Sequence, residues 1–475
     1  MGENMKMLHT DRVKIFAKIC LLIVCFYLGA EYWLWEWSAV LISCLYALQM
    51  SKRKAFFVIF ISYFMGCFNE QYILPVIIYW QIVGIEAAVF SISMILLPAI
   101  RKQCPPGVAL FTFSSIFVLG EYLISLYSPH GTIGSIAYTQ TENLVVAQLA
   151  SVTGLWGISF FMVLLSAQLA LLFLSRSDYR TIANYMVCGI LCVVVIFGLY
   201  RLEGQKAMDA PGFSVGLASV RMDLPEYIAV NTKQNQQVKE AILQRYKDKI
   251  ASLAQSGAAY ILLPEKIMKI ADEQELALFT QAAAEHEITL ILGVTKETAD
   301  GMENKAYVIN DHGRIVATYA KQHLQTEYEK KYKPGHENVI WDQNKALAIC
   351  KDMDFTKPAA IYSKNGAGIM FVPALDFHDD AKTHKRIAIM RGIEGDYAVV
   401  RAAQWGELSI SDSRGREIAV QNTDESLFDA ELIGTVSAGT GKSLYSKIGD
   451  LFVGACLAEV IVVLLRIYRN RRKFL

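Results

Sequence analysis

The stretch "KALAICKDMDF" (residues 345–355) reads as a short apolar strand that ends on a cysteine, with charged residues directly after it. The chain has 9 cysteines, and the others lie inside or at the edge of long apolar stretches. Cys350 is therefore alone in the polar part of the chain. Because a lone cysteine cannot form an internal disulfide, it is either a small core residue or a free reactive thiol. The surrounding sequence decides between these interpretations.

Apolar residues are unevenly distributed along the chain. The 475 residues are 53% hydrophobic and carry a formal net charge of +1, so no bulk attraction to nucleic acid is implied. A run of about 20 apolar residues can cross a bilayer. The sequence therefore predicts a membrane protein with one large water-exposed domain. The predicted parts are a bundle of about seven spans (1–202), the water-exposed domain (203–442), and a final span with a basic tail (443–475).

Eight apolar stretches are candidate membrane spans, of which the second and third are short. They cover residues 16–34, 37–50, 55–69, 72–99, 108–127, 154–174, 182–200 and 448–466. A cleaved signal peptide would be followed by a polar mature chain. Several more apolar runs follow the first one here, so it is interpreted as a retained helix.

Basic residues indicate the orientation of these spans. They cluster in both tails and in the turns after the second, fourth and sixth spans. With eight spans, all of these clusters lie on one side, which the positive-inside rule assigns to the cytoplasm. The domain at 203–442 is then extracytoplasmic. A seven-span arrangement would place the basic C-terminal tail opposite the other clusters.

The water-exposed domain alternates strands with helices. Predicted strands include "FSVGLASV" (213–220), "AAYILLPE" (258–265), "ITLILGV" (288–294) and "GIMFVPA" (368–374). Residues 233–256 have helical spacing of apolar residues. This pattern predicts an α/β domain with its helices on the outside of sheets.

Three residues whose side chains can take part in catalysis lie at the ends of predicted strands. Glu265, Lys321 and Cys350 close "YILLPE", "RIVATYAK" and "ALAIC". Catalytic groups in α/β proteins gather beyond the carboxyl ends of strands. Taken singly, Glu265 and Lys321 could be solvated loop charges and Cys350 a core residue, so the combination carries the prediction.

The segments "LLPE" and "YAKQHL" and the strand-ending cysteine, in this order, resemble the Glu-Lys-Cys triad of the nitrilase superfamily of carbon–nitrogen hydrolases. The stretches at 131–172, 386–417 and 443–452 resemble apolipoprotein N-acyltransferases of that superfamily. The resemblance implies a multi-span helical bundle plus a nitrilase-like αββα sandwich. It also implies a multi-pass protein of the bacterial inner membrane.

The three residue types also make chemical sense together. Glu265 is the candidate general base for the thiol of Cys350. Lys321 is the candidate group for stabilising the oxyanion of a tetrahedral intermediate, and the N–H of Lys351 is a second candidate donor. The first step would leave a thioester on Cys350, which an amine or water then resolves.

The resemblance implies further residues and substrates. Glu329 lies eight residues after Lys321, where a supporting glutamate is expected, and Glu327 is close enough to be confused with it. The implied acyl donor is a phospholipid, and the implied acceptor is the α-amino group of a diacylglyceryl-cysteine lipoprotein. No metal, nucleotide or other cofactor is implied.

Several segments depart from the family pattern. Lys351 and Asp352 follow the cysteine in place of a Tyr-Glu pair, and "VPALDFHDD" (372–380) keeps two of the usual residues, Pro373 and Asp376. These departures leave open a membrane-bound amidase, or an acyltransferase for a different amine. A non-catalytic binding protein that keeps the fold is a third alternative.

Histidines and carboxylates in the segment after residue 375 raise the question of a metal site. The residues concerned are Asp376, His378, Asp379, Asp380 and His384. No helix-spaced HExxH pattern accompanies them. The sequence therefore predicts no metal there.

Overall fold

The computed structural model of the protein describes residues 2–67, 76–174, 182–204, 212–233, 235–378, 380–423 and 428–472. Contacts between residues divide the chain into two compact units. One comprises Met1–Tyr200 with Ile448–Leu475, and the other comprises Arg201–Lys447. The sequence-based domain limits at residues 202 and 442 stay predictions.

The regular secondary structure described in the first unit consists of helices. Its helices are α1 (Gly2–Glu31), α2 (Trp33–Gln49), α3 (Lys52–Gly66), α4 (Val76–Gln103), α5 (Pro106–Tyr127), α6 (Leu144–Ala147), α7 (Ala150–Thr153), α8 (Leu155–Phe173), α9 (Ile182–Gly204) and α16 (Leu451–Arg472). A 3₁₀ helix covers Ile136–Glu142. Within the described residues, 6 helices are long and apolar enough to cross a membrane, namely α1, α4, α5, α8, α9 and α16.

The second and third predicted spans are helices, but they are shorter than the other six. Helix α2 has 17 residues and α3 has 15. At about 1.5 Å per residue they reach roughly 25 and 22 Å, against about 30 Å of bilayer hydrocarbon. The structure thus supports six full-length spans where the sequence suggested eight.

The second unit alternates strands and helices, as predicted. Its helices are α10 (Leu224–Ile228), α11 (Gln236–Gln255), α12 (Ala277–Glu285), α13 (Thr356–Lys364), α14 (Ala381–Gly395) and α15 (Leu444–Ile448), with a π-helix at Ala229–Lys233 and 3₁₀ helices at Glu273–Leu276 and Cys350–Asp354. Its strands are β1 (Phe213–Ser219), β2 (Tyr260–Leu262), β3 (Lys269–Ile270), β4 (Thr289–Thr298), β5 (Gly301–Ile309), β6 (Ile315–Ala320), β7 (Val339–Trp341), β8 (Lys345–Leu347), β9 (Ile369–Leu375), β10 (Ala398–Gln404), β11 (Glu407–Ser411), β12 (Glu417–Asn422) and β13 (Ala430–Val436).

These strands form two sheets that pack face to face. One has the order β13-β1-β2-β4-β5-β6 with β3 beside β4, and the other has the order β12-β11-β10-β9-β8-β7. Buried apolar side chains of both sheets, such as Leu217, Ile291 and Phe371, share one core. Helices α11 and α12 pack on the outer face of the first sheet, and α14 packs on the second. The predicted αββα sandwich is confirmed.

Two strands end earlier than the sequence suggested, and this places the candidate site residues in loops. Strand β2 ends at Leu262, and the N–H of Glu265 donates instead to the carbonyl of Ala374 on β9, at 3.2 Å. Strand β8 ends at Leu347, and Cys350 begins a 3₁₀ helix. Both segments then contact the end of β9, since Cys350 also reaches the carbonyl of Leu375.

Strand β4 approaches the Glu265 loop so closely that residue 293 has to lack a side chain. A Cβ on Gly293 would lie 2.7 Å from the Cα of Glu265 and 3.2 Å from the Cβ of Pro373. Neither atom is the flexible end of a side chain, so the backbone would have to shift. Gly293 therefore fixes the distance between β4 and the loop that carries Glu265.

We expect Gly293→Ala to lower the free energy of unfolding by about 1–3 kcal/mol, because the added methyl overpacks this contact. Thermal unfolding in detergent micelles measures the change. Gly189→Ala is the control, since no atom lies within 4 Å of a Cβ built there. An unchanged melting temperature for Gly293→Ala would contradict the close approach.

Candidate active site

Glu265, Lys321 and Glu329 form one buried network of ion pairs. The Nζ of Lys321 lies 2.9 Å from Oε1 of Glu265 and 3.2 Å from Oε2 of Glu329. All three residues are at most 3% exposed. Burial alone would lower the pKa of Lys321, but the carboxylates of Glu265 and Glu329 raise it above its usual value. The charged form of Lys321 is therefore strongly favoured.

Two further groups, which the sequence did not reveal, complete this network. The Nδ2 of Asn304 donates to Oε1 of Glu265 at 2.5 Å and to Oε1 of Glu329 at 2.7 Å. The Nζ of Lys266 lies 2.9 Å from Oε1 of Glu329 and 3.8 Å from Oε1 of Glu265. Asn304 lies on the same inward face of β5 as Ala306. A polar residue at a position where the strand pattern calls for an apolar one was the sign in the sequence that Asn304 has a special role. For Lys266 the signal was its position directly after Glu265.

The carboxylate of Glu329 is held as an anion. Burial alone would raise its pKa, but the ammonium groups of Lys321 and Lys266 keep the pKa of Glu329 well below its usual range. The N–H of Gln325 also donates to its Oε2 at 2.7 Å. Of the two glutamates that the sequence could not separate, Glu329 contacts Lys321, whereas Glu327 lines the neighbouring cavity.

Cys350 sits in a strained turn close to these charges. Its φ is +43°, in the left-handed region that residues other than glycine seldom adopt. Its Sγ donates to the carbonyl of Leu375 at 3.5 Å. Burial and the negative charge of Glu265 raise the pKa of the Cys350 thiol to about 12, against the opposing effect of Lys321. At neutral pH the group is a thiol, so it needs a base to become a nucleophile.

Glu265 offers one free oxygen for that purpose. Its Oε1 accepts from Lys321 and Asn304. Its Oε2 is buried and has no hydrogen-bond partner within the described part of the chain. An unpartnered buried carboxylate oxygen is costly unless it serves a function. Because the charge of Glu265 acts on the thiol of Cys350, Oε2 is the candidate proton acceptor.

Asp352 joins the cysteine turn to the loop after β6. The carboxylate, 1% exposed, accepts hydrogen bonds from both segments. Its donors are the N–H groups of Gln322, His323 and Ile349 and the hydroxyl of Tyr319, at 3.1, 2.8, 3.1 and 2.7 Å. Since that loop follows Lys321 directly, Asp352 fixes Cys350 relative to Lys321.

Lys351 makes a second connection to the same loop. Its Nζ donates to Oε1 of Gln325 at 2.7 Å and to the carbonyl of Leu324 at 3.3 Å, and the residue is 3% exposed. Burial lowers the pKa of Lys351. Its backbone N–H lies in the first turn of the 3₁₀ helix, where such groups lack an intrahelical acceptor.

A second charged cluster lies near the sulfur. Asp376 forms an ion pair with Arg401, with Oδ2 2.9 Å from Nη1. His384 lies 3.1 Å from Asp380 and 3.4 Å from Asp354. Burial alone would lower the pKa of His384, but these two carboxylates raise it well above its usual value. Of the residues considered for a metal site, Asp379 lies outside the described residues, and the described ones form no group of three or more metal-ligating side chains.

A cavity of about 1020 Å³ opens beside the network. Its wall includes Lys266 and also Leu375, whose carbonyl contacts the thiol of Cys350. The remaining wall is largely aromatic and basic. It includes Arg221, Tyr227, Tyr328, Lys330, Lys331, Tyr332, Phe377 and Trp405.

Two family models match the chain. Residues 20–168 match the apolipoprotein N-acyltransferase N-terminal domain, and residues 228–428 match carbon-nitrogen hydrolase. An apolipoprotein N-acyltransferase of Geobacter metallireducens is 25% identical over 411 residues, which are 78% of this chain and 77% of that protein. A deaminated glutathione amidase of Synechocystis sp. is 27% identical over 196 residues, 34% of this chain and 72% of that protein.

Among solved structures, an amidase from Nesterenkonia sp. has a TM-score of 0.41 at 16% identity, covering 50% of this chain and 95% of that one. The membrane helices and the matched hydrolase domain together define a membrane protein of the nitrilase superfamily. The two matched family models and the relatives that match most of the chain support an apolipoprotein N-acyltransferase-like protein of that superfamily. The family and fold class predicted from the sequence are thereby confirmed.

We expect Asp352→Asn to lower the free energy of unfolding by about 2 kcal/mol, because the amide group cannot accept all the hydrogen bonds that the carboxylate takes. Thermal unfolding measures this change. Asp342→Asn is the control: that side chain is 58% exposed in its pair with Lys345, so less than about 0.5 kcal/mol should be lost. Equal losses in the two variants would rule out a special role for Asp352.

Proposed function

We propose that the protein is a membrane N-acyltransferase. It moves an acyl chain from a phospholipid, by way of a thioester on Cys350, to the α-amino group of a diacylglyceryl-cysteine lipoprotein. The observation that carries the proposal is the buried network of Glu265, Lys321 and Glu329 beside a cysteine, in a chain whose described residues also include 6 membrane-length helices. Relatives that match most of the chain are named apolipoprotein N-acyltransferases, which supports the same function.

In the first step, Oε2 of Glu265 takes the proton of the Cys350 thiol, and the sulfur attacks the ester carbonyl of the lipid. The ammonium of Lys321 and the N–H of Lys351 stabilise the oxyanion that forms. The carbon–oxygen bond of the ester then breaks. The departing lysophospholipid oxygen takes the proton from Glu265, and the acyl group stays on sulfur.

In the second step, the amine of the acceptor attacks the thioester. Glu265 takes a proton from the attacking nitrogen, and the carbon–sulfur bond breaks. The same proton returns to the sulfur, which regenerates the Cys350 thiol and the Glu265 carboxylate. Water as the nucleophile would give a free fatty acid instead, so access of water to the thioester has to be restricted.

The cavity is suited to a lipid substrate. Stacked aromatic side chains line it, including Tyr328 on Phe377 at 5.2 Å between ring centres. Such a wall is compatible with an acyl chain. Lys330 and Lys331 supply positive charge for a phosphate group. At about 1020 Å³, the space is at the upper end of the range for ligand sites.

The even number of spans supports an extracytoplasmic catalytic unit in the bacterial inner membrane. The C-terminal end of α16 carries Arg469, Arg471 and Arg472, and the residues before the first span are also rich in basic side chains. With six or with eight spans both tails lie on the cytoplasmic side, and the unit at 201–447 lies on the other.

A membrane-bound amidase is the second candidate. Lys351 and Asp352 replace the pair that the family usually shows after the cysteine. A relative named deaminated glutathione amidase also matches part of the chain. In this alternative, Cys350 attacks an amide carbonyl, ammonia or an amine leaves, and water resolves the thioester.

We expect the purified protein, given phospholipid without an amine, to accumulate an acyl adduct on Cys350 that mass spectrometry of the tryptic peptide detects. Glu265→Gln should slow adduct formation about 10²–10⁴-fold, because it removes the proton acceptor. Cys350→Ala should give none. Glu285→Gln, an exposed residue of α12, is the control and should react like wild type.

The comparison of cells with and without the protein completes the test. Loss of the N-terminal acyl group from lipoproteins supports the acyltransferase. Turnover of small amides without lipoprotein acylation would instead favour the amidase. Cells with Cys350→Ala that acylate lipoproteins normally would overturn the proposed chemistry and favour a non-catalytic binding protein.

A further inference from the structure

Lys266 occupies an unusual position for a lysine. It is 8% exposed and its φ is +53°, in the left-handed region. Its backbone is held on both sides: Asn231 donates to the carbonyl of Lys266 at 2.9 Å, and the next N–H, that of Ile267, donates to Gly293 at 3.0 Å. A strained backbone fixed in this way indicates that the direction of the side chain matters.

The side chain of Lys266 points into the glutamate network. Its Nζ lies 2.9 Å from Glu329, 3.8 Å from Glu265 and 5.5 Å from the ring centre of Tyr332. It also forms part of the cavity wall. Lys266 is thus a charged group that contacts the carboxylates and borders the space proposed for the substrate.

Lys266 balances the charge of the buried cluster. Glu265 and Glu329 carry two negative charges, and Lys321 supplies one positive charge. Two carboxylates that share a single cation in a buried site cannot both ionise easily, so one would keep its proton at neutral pH. With Lys266 present the cluster is neutral while both carboxylates are ionised.

We propose that Lys266 is a positioning residue that balances the charge of the two glutamates and keeps Oε2 of Glu265 free to accept the thiol proton of Cys350. This inference rests on the proposed function. Lys266, Lys321 and Asn304 all approach Oε1 of Glu265, so the negative charge of the group remains available at the unpartnered Oε2. The nucleophile can then be activated at neutral pH although its own pKa is high.

Other titratable groups also face these residues. The charges around Lys266 are those of Tyr227, Glu329, Glu265, Tyr332 and Lys321. Those that act on the thiol of Cys350 include Glu265, Lys321, His384, Asp376 and Arg401. Replacing Lys266 changes the balance of charge around the two glutamates and leaves His384 and Asp376 unchanged. A change in the acidic part of the pH profile therefore reports on the glutamates.

The test measures alkylation of Cys350 by iodoacetamide between pH 5 and pH 9, which needs no lipid. The full-length protein in detergent micelles is used, and the rate is followed on the Cys350 peptide by mass spectrometry. The half-point is the pH on the acidic side at which the alkylation rate has fallen to half of its plateau. We expect Lys266→Met to raise this half-point by about one pH unit or more. Lys266→Arg should restore the half-point, because it keeps the charge.

Lys239→Met is the matched control. Lys239 is also buried, and it pairs with Glu275 away from the glutamate network. Lys239→Met also removes a buried ammonium group, but the half-point of the alkylation rate should not move. If Lys266→Met fails to fold, Lys266→Gln takes its place with the same expected shift, because the amide can still donate to Glu329 but carries no charge.

A uniform fall of the rate at every pH, with the half-point unchanged, would mean that Lys266 is merely structural and would overturn the inference. The same half-point shift in Lys239→Met would also overturn it. Failure of the proposed function is distinguishable: wild type would then form no acyl adduct from phospholipid, while the Lys266 shift in alkylation persisted.

Discussion

The site depends on burying four charged side chains in mutual contact. Lys321, Lys266, Glu265 and Glu329 are each at most 8% exposed. Removing any one of them would leave an uncompensated charge, which is strongly destabilising in a protein interior. The network therefore holds the three segments that carry these residues in one arrangement. Such networks contribute more to geometry than to stability, since each charge has also lost its hydration.

Strained backbone accompanies this network at two of its edges. Lys266 and Cys350 both have positive φ, which costs on the order of 1–3 kcal/mol at each residue. The hydrogen bonds of Asn231 at the first and of Asp352 near the second offset that cost. The first turn directs the Lys266 side chain to the glutamates and the cavity wall, and the second places Cys350 in the core that the two sheets share. The strain is thus connected with the placement of the chemistry.

The membrane unit has its own polar interior, which the catalytic chemistry does not use. Oε1 of Glu121 accepts from the hydroxyl of Ser135 and from the N–H of Ile136, each at 3.1 Å. Trp156 donates to Asp450 at 3.0 Å, and Thr112 donates to Glu459 at 2.6 Å. Polar groups inside a bilayer are expensive unless they have partners. The contact of Thr112 joins α5 to α16, and the contact of Trp156 joins α8 to the residue directly before α16.

The sequence by itself determined the division into apolar and polar parts, the alternation of strands and helices, and the three candidate residues Glu265, Lys321 and Cys350. These features depend on local composition and period, which a single sequence displays directly. The sequence did not reveal the length of α2 and α3 in relation to a bilayer. It also did not show that β2 and β8 end before the site residues, since strand ends are set by partners distant in the chain.

Only the tertiary structure decided which charges meet. Lys266 and Asn304 gave little sign of their role because a lysine after a glutamate, or an asparagine in a strand, is usually solvated. Two of their contacts join residues far apart in the chain: Asn304 and Glu265 are 39 positions apart, and Lys266 and Glu329 are 63 positions apart. Similarly, the sequence showed Asp352 only as a departure from the family pattern. Its hydrogen bonds to the loop after Lys321 are evident only in the tertiary structure. Electrostatic partners are defined by distance in space, and that distance comes from the packing of the two sheets.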